Sequence, residues 1–85
     1  GLNVGFQLFP NPVRSTLHLK LPQLHITEGK LIIENLSGQM LYTEDLNLSP
    51  ASRSWQLDVG GWPSGVYVVR LQVGAEQMVR KFVKE

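Results

Sequence analysis

Residues 65–73 constrain the fold more than any other stretch of the chain. Their sequence, Gly-Val-Tyr-Val-Val-Arg-Leu-Gln-Val, is rich in the β-branched and aromatic residues that favour strands. Alternate side chains of a strand point to opposite faces. One face is then wholly apolar and consists of Tyr67, Val69, Leu71 and Val73. The other face is half apolar, so we predict a central strand with one core face and a partly covered back.

The rest of the chain consists of further short strands and the turns that separate them. Alternating or continuous apolar residues predict strands over residues 6–9, 16–21, 30–36, 40–46, 54–59 and 76–83. No stretch has a convincing helical period. About seven short strands with regularly spaced turn signals predict an all-β fold, an immunoglobulin-like antiparallel β-sandwich.

Three turns carry specific conformational predictions. Gly38 lies in a Leu-Ser-Gly-Gln turn and is predicted to have a positive φ. Gly74 and Ala75 are predicted to form a two-residue hairpin loop of type II′, because glycine comes first. Tyr67 follows a Pro-Ser-Gly turn at the start of its strand and is predicted to be a tyrosine corner, whose hydroxyl bonds to upstream backbone.

Length and charge exclude several classes of protein. A chain of 85 residues makes one domain, which we place at residues 6–85, after a linker remnant at residues 1–5. The formal net charge of +1 argues against nucleic acid as the main partner. No apolar run approaches the length of a membrane span. The chain has no cysteine, which excludes disulfides, thiolate zinc sites and cysteine nucleophiles.

The residues that could carry catalysis are few and scattered. His18 lies on the polar face of a predicted strand and His25 in a predicted loop, with no third metal ligand at a recognisable spacing. Glu44 and Asp45 are adjacent in one strand and point to opposite faces, so they do not make an acid–base pair. We therefore predict that the domain is not an enzyme and has no catalytic, cofactor or metal site.

Two groups of residues leave alternatives open. The first group is aromatic and consists of Trp55, Trp62, Tyr42 and Phe9. If these side chains share an exposed face, they would form a sugar-stacking platform, as in a carbohydrate-binding or adhesive module appended to a secreted enzyme. Otherwise Trp55 belongs to the core and Trp62 fills a turn. The basic and apolar residues 78–85 form either an edge strand guarded by lysines or a strand recognised by another protein.

Four short motifs, taken together in order, resemble a known family. They are residues 8–12 (Leu-Phe-Pro-Asn-Pro), 33–39 (Ile-Glu-Asn-Leu-Ser-Gly-Gln), 62–69 (Trp-Pro-Ser-Gly-Val-Tyr-Val-Val) and 80–84 (Arg-Lys-Phe-Val-Lys). Their spacing resembles that of the C-terminal sorting domain of the type IX (Por) secretion system of Bacteroidota. The motif residues are Phe9, Pro10, Asn11, Pro12, Asn35, Gly38, Trp62, Gly65 and Tyr67. Asn35 stands where the family commonly has aspartate, Trp62 where leucine is usual, and Arg80 where lysine is.

The resemblance implies an immunoglobulin-like sandwich that acts as a C-terminal secretion signal. Such a domain directs its cargo from the periplasm across the outer membrane, to the cell surface or the medium. The implied partners are an outer-membrane shuttle protein, the translocon, and a sortase-like peptidase that usually removes the domain, here near or before Gly1. The recognition residues that we predict are Arg80, Lys81, Phe82, Val83 and Lys84.

Overall fold

Seven strands make up the regular structure of the domain in the computed structural model, which describes residues 5–21, 27–48 and 53–85. The strands are β1 (Gln7–Phe9), β2 (Thr16–Lys20), β3 (Glu28–Asn35), β4 (Met40–Asn47), β5 (Ser54–Asp58), β6 (Gly65–Val73) and β7 (Glu76–Lys84). Those described residues contain no helix, hence none that could cross a membrane. The prediction of an all-β fold of about seven strands is confirmed. His25 and most of the β2–β3 loop lie outside the described residues.

The strands form two antiparallel sheets. One sheet has three strands in the order β1-β2-β5, and the other has four in the order β4-β3-β6-β7. Strand β6 is therefore interior, paired with β3 on one side and with β7 on the other. Strand β7 is an edge strand of the larger sheet. Its pairing with β6 runs without a register shift from Gly65 opposite Lys84 to Val73 opposite Glu76.

The core lies between the two sheets, and β6 supplies much of it. The four side chains of its predicted core face, Tyr67, Val69, Leu71 and Val73, are all at most 4% exposed. The three-stranded sheet contributes Leu17 and Leu19 to the same core. On the opposite face of β6, Val66, Val68 and Arg70 are half-buried, and Arg70 forms an ion pair with Glu34 of β3. Both predictions for this strand, the apolar core face and the partly covered back, are confirmed.

Both predicted glycine turns have the expected backbone. Gly38 has φ +83°, and the turn is closed by Asn35, whose side-chain Oδ1 accepts hydrogen bonds from the amides of Ser37 (3.0 Å) and Gln39 (2.9 Å). Gly74 has φ +62°, whereas no non-glycine residue of the described chain has a positive φ. A positive φ at the first loop position alone is the type II′ pattern.

Candidate recognition site

The predicted recognition residues lie on β7, where Arg80, Phe82 and Lys84 share one face and Lys81 and Val83 share the other. Phe82 is fully buried and Lys84 is only 6% exposed. Arg80, Lys81 and Val83 are exposed. A partner that binds the folded domain can therefore contact the side chains of only these last three residues.

Burial of Lys84 follows from the period of the strand, because residues 82 and 84 point to the same face. A lysine at such a position must satisfy its ammonium group locally, since an unpaired buried charge is costly. The Lys84 Nζ donates a hydrogen bond to the Glu85 carbonyl at 2.5 Å. Lys84 is therefore part of the packing at the end of β7.

Residues 11–13 hold the end of β7 from its outer side, and we refer to them as the Asn11–Val13 clasp. The side-chain Oδ1 of Asn11 accepts a hydrogen bond from the Val83 amide at 2.9 Å. The Val13 amide donates to the Val83 carbonyl at 2.8 Å, and the Glu85 amide donates to the Val13 carbonyl at 2.9 Å. Val13 is itself fully buried. Val13 thus forms a single parallel β-bridge with Lys84, on the outer side of β7.

An exposed ion pair lies next to the clasp. The Arg14 Nε is 2.7 Å from a carboxylate oxygen of Glu85. This hydrogen bond, together with the negative charge of Glu85, raises the pKa of Arg14. Because both groups are largely in solvent, the pair adds little stability and chiefly favours the same placement of the chain end.

The remaining residues of the Leu-Phe-Pro-Asn-Pro motif lead into the clasp. Leu8 packs against the core, whereas Phe9 points outward and stacks on His18 of β2, with ring centroids 5.2 Å apart. Pro10 and Pro12 are exposed, and the peptide bonds that precede them are both cis. The prolines flank Asn11, the one residue of the motif that bonds to β7.

The tyrosine corner is confirmed. The Tyr67 hydroxyl donates a hydrogen bond to the Pro63 carbonyl at 2.5 Å. The Tyr67 ring lies between Trp62 and Phe82, 5.3 Å from each ring centroid. Gly65 has φ +155°, a conformation that side chains with a Cβ rarely adopt, so the approach to the corner depends on glycine. The third motif is therefore packed directly against Phe82 of the fourth.

All four motifs meet at one end of the larger sheet. Asn35 is the Cα partner of Tyr67, and Tyr67 is the Cα partner of Phe82. The clasp adds Asn11 beside Val83. Segments separated by up to 72 positions in sequence thus form one continuous structure around the end of β7.

The aromatic residues do not share an exposed face. Tyr42 and Trp62 are half-buried with ring centroids 6.4 Å apart, and Trp55 packs against the core. Phe9 lies on the other sheet. The Tyr42 hydroxyl donates a hydrogen bond to Glu44, which raises the pKa of Tyr42 to about 12. These positions give no support to a sugar-stacking platform.

The described residues contain no group of three histidine or acidic side chains that could hold a metal ion. An apolar cleft between the sheets, bordered by Leu8, Tyr42 and Leu57, has a volume of about 20 Å³. Such a volume holds roughly one water molecule. The contacts between the motifs bring together a protein surface, formed by the end of β7 and the clasp.

Comparison with known proteins gives the same fold and a family. The chain matches the family described as "Secretion system C-terminal sorting domain" over residues 7–85. No curated protein matches. A solved structure from Bacteroides vulgatus, a DUF3244 family protein with an immunoglobulin-like β-sandwich fold, is similar with a TM-score of 0.78 and 18% sequence identity. The match covers 98% of this chain and 87% of that one.

At that identity the structural likeness shows the fold alone, and it confirms the predicted immunoglobulin-like sandwich. The family match extends over nearly the whole domain and includes all four motifs that converge on β7. The chain therefore belongs to the secretion system C-terminal sorting domain family, and it is a sorting signal for type IX secretion.

Proposed function

We propose that the folded domain presents the end of β7 to an outer-membrane shuttle protein of the type IX system. The shuttle then passes the cargo to the translocon and to a sortase-like peptidase. In this proposal the domain is folded in the periplasm and crosses the outer membrane with its cargo. Its role is recognition without catalysis, in keeping with a family of sorting signals. The domain begins at Phe6, which is 1% exposed and belongs to the core.

The convergence of the four motifs on β7 carries this proposal. Asn11 bonds to Val83, and Tyr67 packs against Phe82. Each of these motifs therefore supports the position of the terminal strand. Motif residues at scattered positions would instead have favoured purely local roles in separate turns.

Charge gives the exposed part of β7 its chemical character. Arg80 and Lys81 are exposed neighbours, and no ion pair involves either of them within the described part of the chain. Val83 beside them is 40% exposed. Lys81 and Val83 share the outer face of the sheet, whereas Arg80 projects from the other face at the same edge. A partner segment with acidic groups at this edge and an apolar contact on the outer face fits β7, because complementary charge guides the encounter.

A reporter assay tests the proposal. A fluorescent protein with an export signal is fused to residues 1–85 and expressed in a Bacteroidota host, and surface fluorescence is compared with the amount retained in the periplasm. We expect the complete domain to deliver the reporter to the surface. Replacing both Arg80 and Lys81 with glutamate should leave the reporter in the periplasm.

Charge reversal at Lys20 and Lys30 is the matched control, because these two lysines are also exposed on strands, on β2 and β3. That control should be displayed like the unchanged domain. Thermal unfolding of both purified double variants verifies that they fold. Normal display of the folded Arg80 and Lys81 variant would refute recognition through these side chains.

A further inference from the structure

The outer edge of β7 is divided into a covered part and an open part. In an antiparallel pair, the backbone groups of alternate residues point towards the partner strand and away from it. The amide and carbonyl of Val83 point away from β6, because they bond to the Asn11–Val13 clasp. The unbroken register then makes the backbone groups of Gln77, Val79 and Lys81 point outward as well.

The clasp does not reach this second group. Its bonds are confined to Val83 and Glu85. Within residues 5–21, 27–48 and 53–85, no strand or turn pairs with the outer side of residues 77–81. This open edge has no bulge, and a straight edge strand with unpaired amides is a template for pairing with another chain.

The side chains beside the open edge define what could pair with it. Val79 is 48% exposed on the outer face of the sheet. Arg80 and Lys81 are exposed and basic and project from opposite faces of the sheet, whereas Glu85, the acidic residue that follows β7, is paired with Arg14. An added strand places its residues directly opposite these side chains, where opposite charges stabilise the pairing and like charges destabilise it.

We propose that residues 77–81 bind an extended segment of the secretion machinery by strand addition. The segment has acidic side chains opposite Arg80 and Lys81 and an apolar side chain opposite Val79. Main-chain hydrogen bonds supply affinity in this mode of binding, and side chains supply specificity. This inference rests on the proposed recognition through β7, and it extends that recognition to the backbone. The clasp limits the added strand to the open edge.

Proline at position 79 tests the backbone contribution directly. The Val79 amide points away from β6, so proline at this position removes a hydrogen-bond donor that the fold does not use. Edge-strand positions with an outward amide tolerate proline. We expect a folded Val79→Pro variant whose surface display of the reporter falls about tenfold, because a lost hydrogen bond and a blocked strand approach cost on the order of 1.4 kcal/mol. The variant with charge reversal at Lys20 and Lys30, which lie on β2 and β3 outside the open edge, should be displayed normally.

Gln77→Pro is a second variant with an outward amide and should reduce display in the same way, so the test holds even if Val79→Pro does not fold. Folded proline variants with normal display would overturn strand addition and leave recognition by side chains intact. No display of the unchanged domain would overturn both. A dimer of the isolated domain that the proline variants dissociate would assign the edge to a second copy and would also overturn the proposal.

Discussion

The tyrosine corner offers the sharpest test of the packing described above. Tyr67→Phe removes one hydroxyl and keeps the ring between Trp62 and Phe82. The lost interaction is the hydrogen bond to the Pro63 carbonyl, at 2.5 Å, from a side chain that is 4% exposed. The change therefore isolates a single polar contact.

The expected size of the effect follows from the surroundings of both partners. An intramolecular hydrogen bond contributes about 0.5–1.5 kcal/mol net to the free energy of unfolding, and more where a buried partner is left unpaired. Pro63 is an exposed residue, so water can reach its carbonyl once the hydroxyl is gone. We therefore expect a loss of about 1 kcal/mol. In a domain of this size, such a loss lowers the Tm by roughly 4–8 °C.

Thermal and urea unfolding followed by circular dichroism measure both quantities. Tyr42→Phe is the matched control, because the Tyr42 hydroxyl bonds to an exposed glutamate, Glu44, at the surface. We expect the control to change the free energy of unfolding by less than about 0.5 kcal/mol. Equal stability of Tyr67→Phe and the unchanged domain would refute the structural role given to the corner.

Substitutions at two further positions test the clasp and the β3–β4 turn. Asn11→Ala removes the acceptor of the hydrogen bond from the Val83 amide, which is 2.9 Å long. We expect hydrogen exchange at that amide to accelerate about fivefold, because the lost bond contributes about 1 kcal/mol. Unchanged exchange would contradict the clasp. Gly38 has φ +83° with no atom within 4 Å of an added Cβ, so only backbone strain matters there. Gly38→Val should destabilise the domain by about 1 kcal/mol more than Gly38→Asn in urea unfolding, because asparagine tolerates positive φ. Equal losses would mean that this conformation is not required.

Local patterns predict the strands and turns of this domain well. Alternation places β2 and β5 within one residue of their observed ends, because one face of each strand packs towards the core and forces a period of two. Gly38 and the Gly74 loop are predictable since positive φ is costly for other residues. Burial of Phe82 and Lys84 was missed, because the basic and apolar motif suggested an exposed recognition strand, whereas the structure places both side chains on the buried face of β7.

Contacts between distant segments could not be predicted in the same way. The hydrogen bond of Asn11 joins residues 72 positions apart and leaves no periodic trace around either one. The order of strands in each sheet is equally non-local, so the sequence alone did not show that β7 is an edge strand beside the clasp. The family motifs marked both segments as important, but only the fold shows that they touch.

The burial of Phe82 also has a consequence for the timing of folding. This side chain is 0% exposed and lies on the last strand, packed against Tyr67 of the central strand. The core therefore cannot close until β7 has been synthesised, although the six earlier strands are already made. Domains fold as units, and sheets with non-local pairing fold slowly. We expect the sandwich to form only after β7 has been synthesised, so a chain that stops short of Phe82 should remain without a closed core.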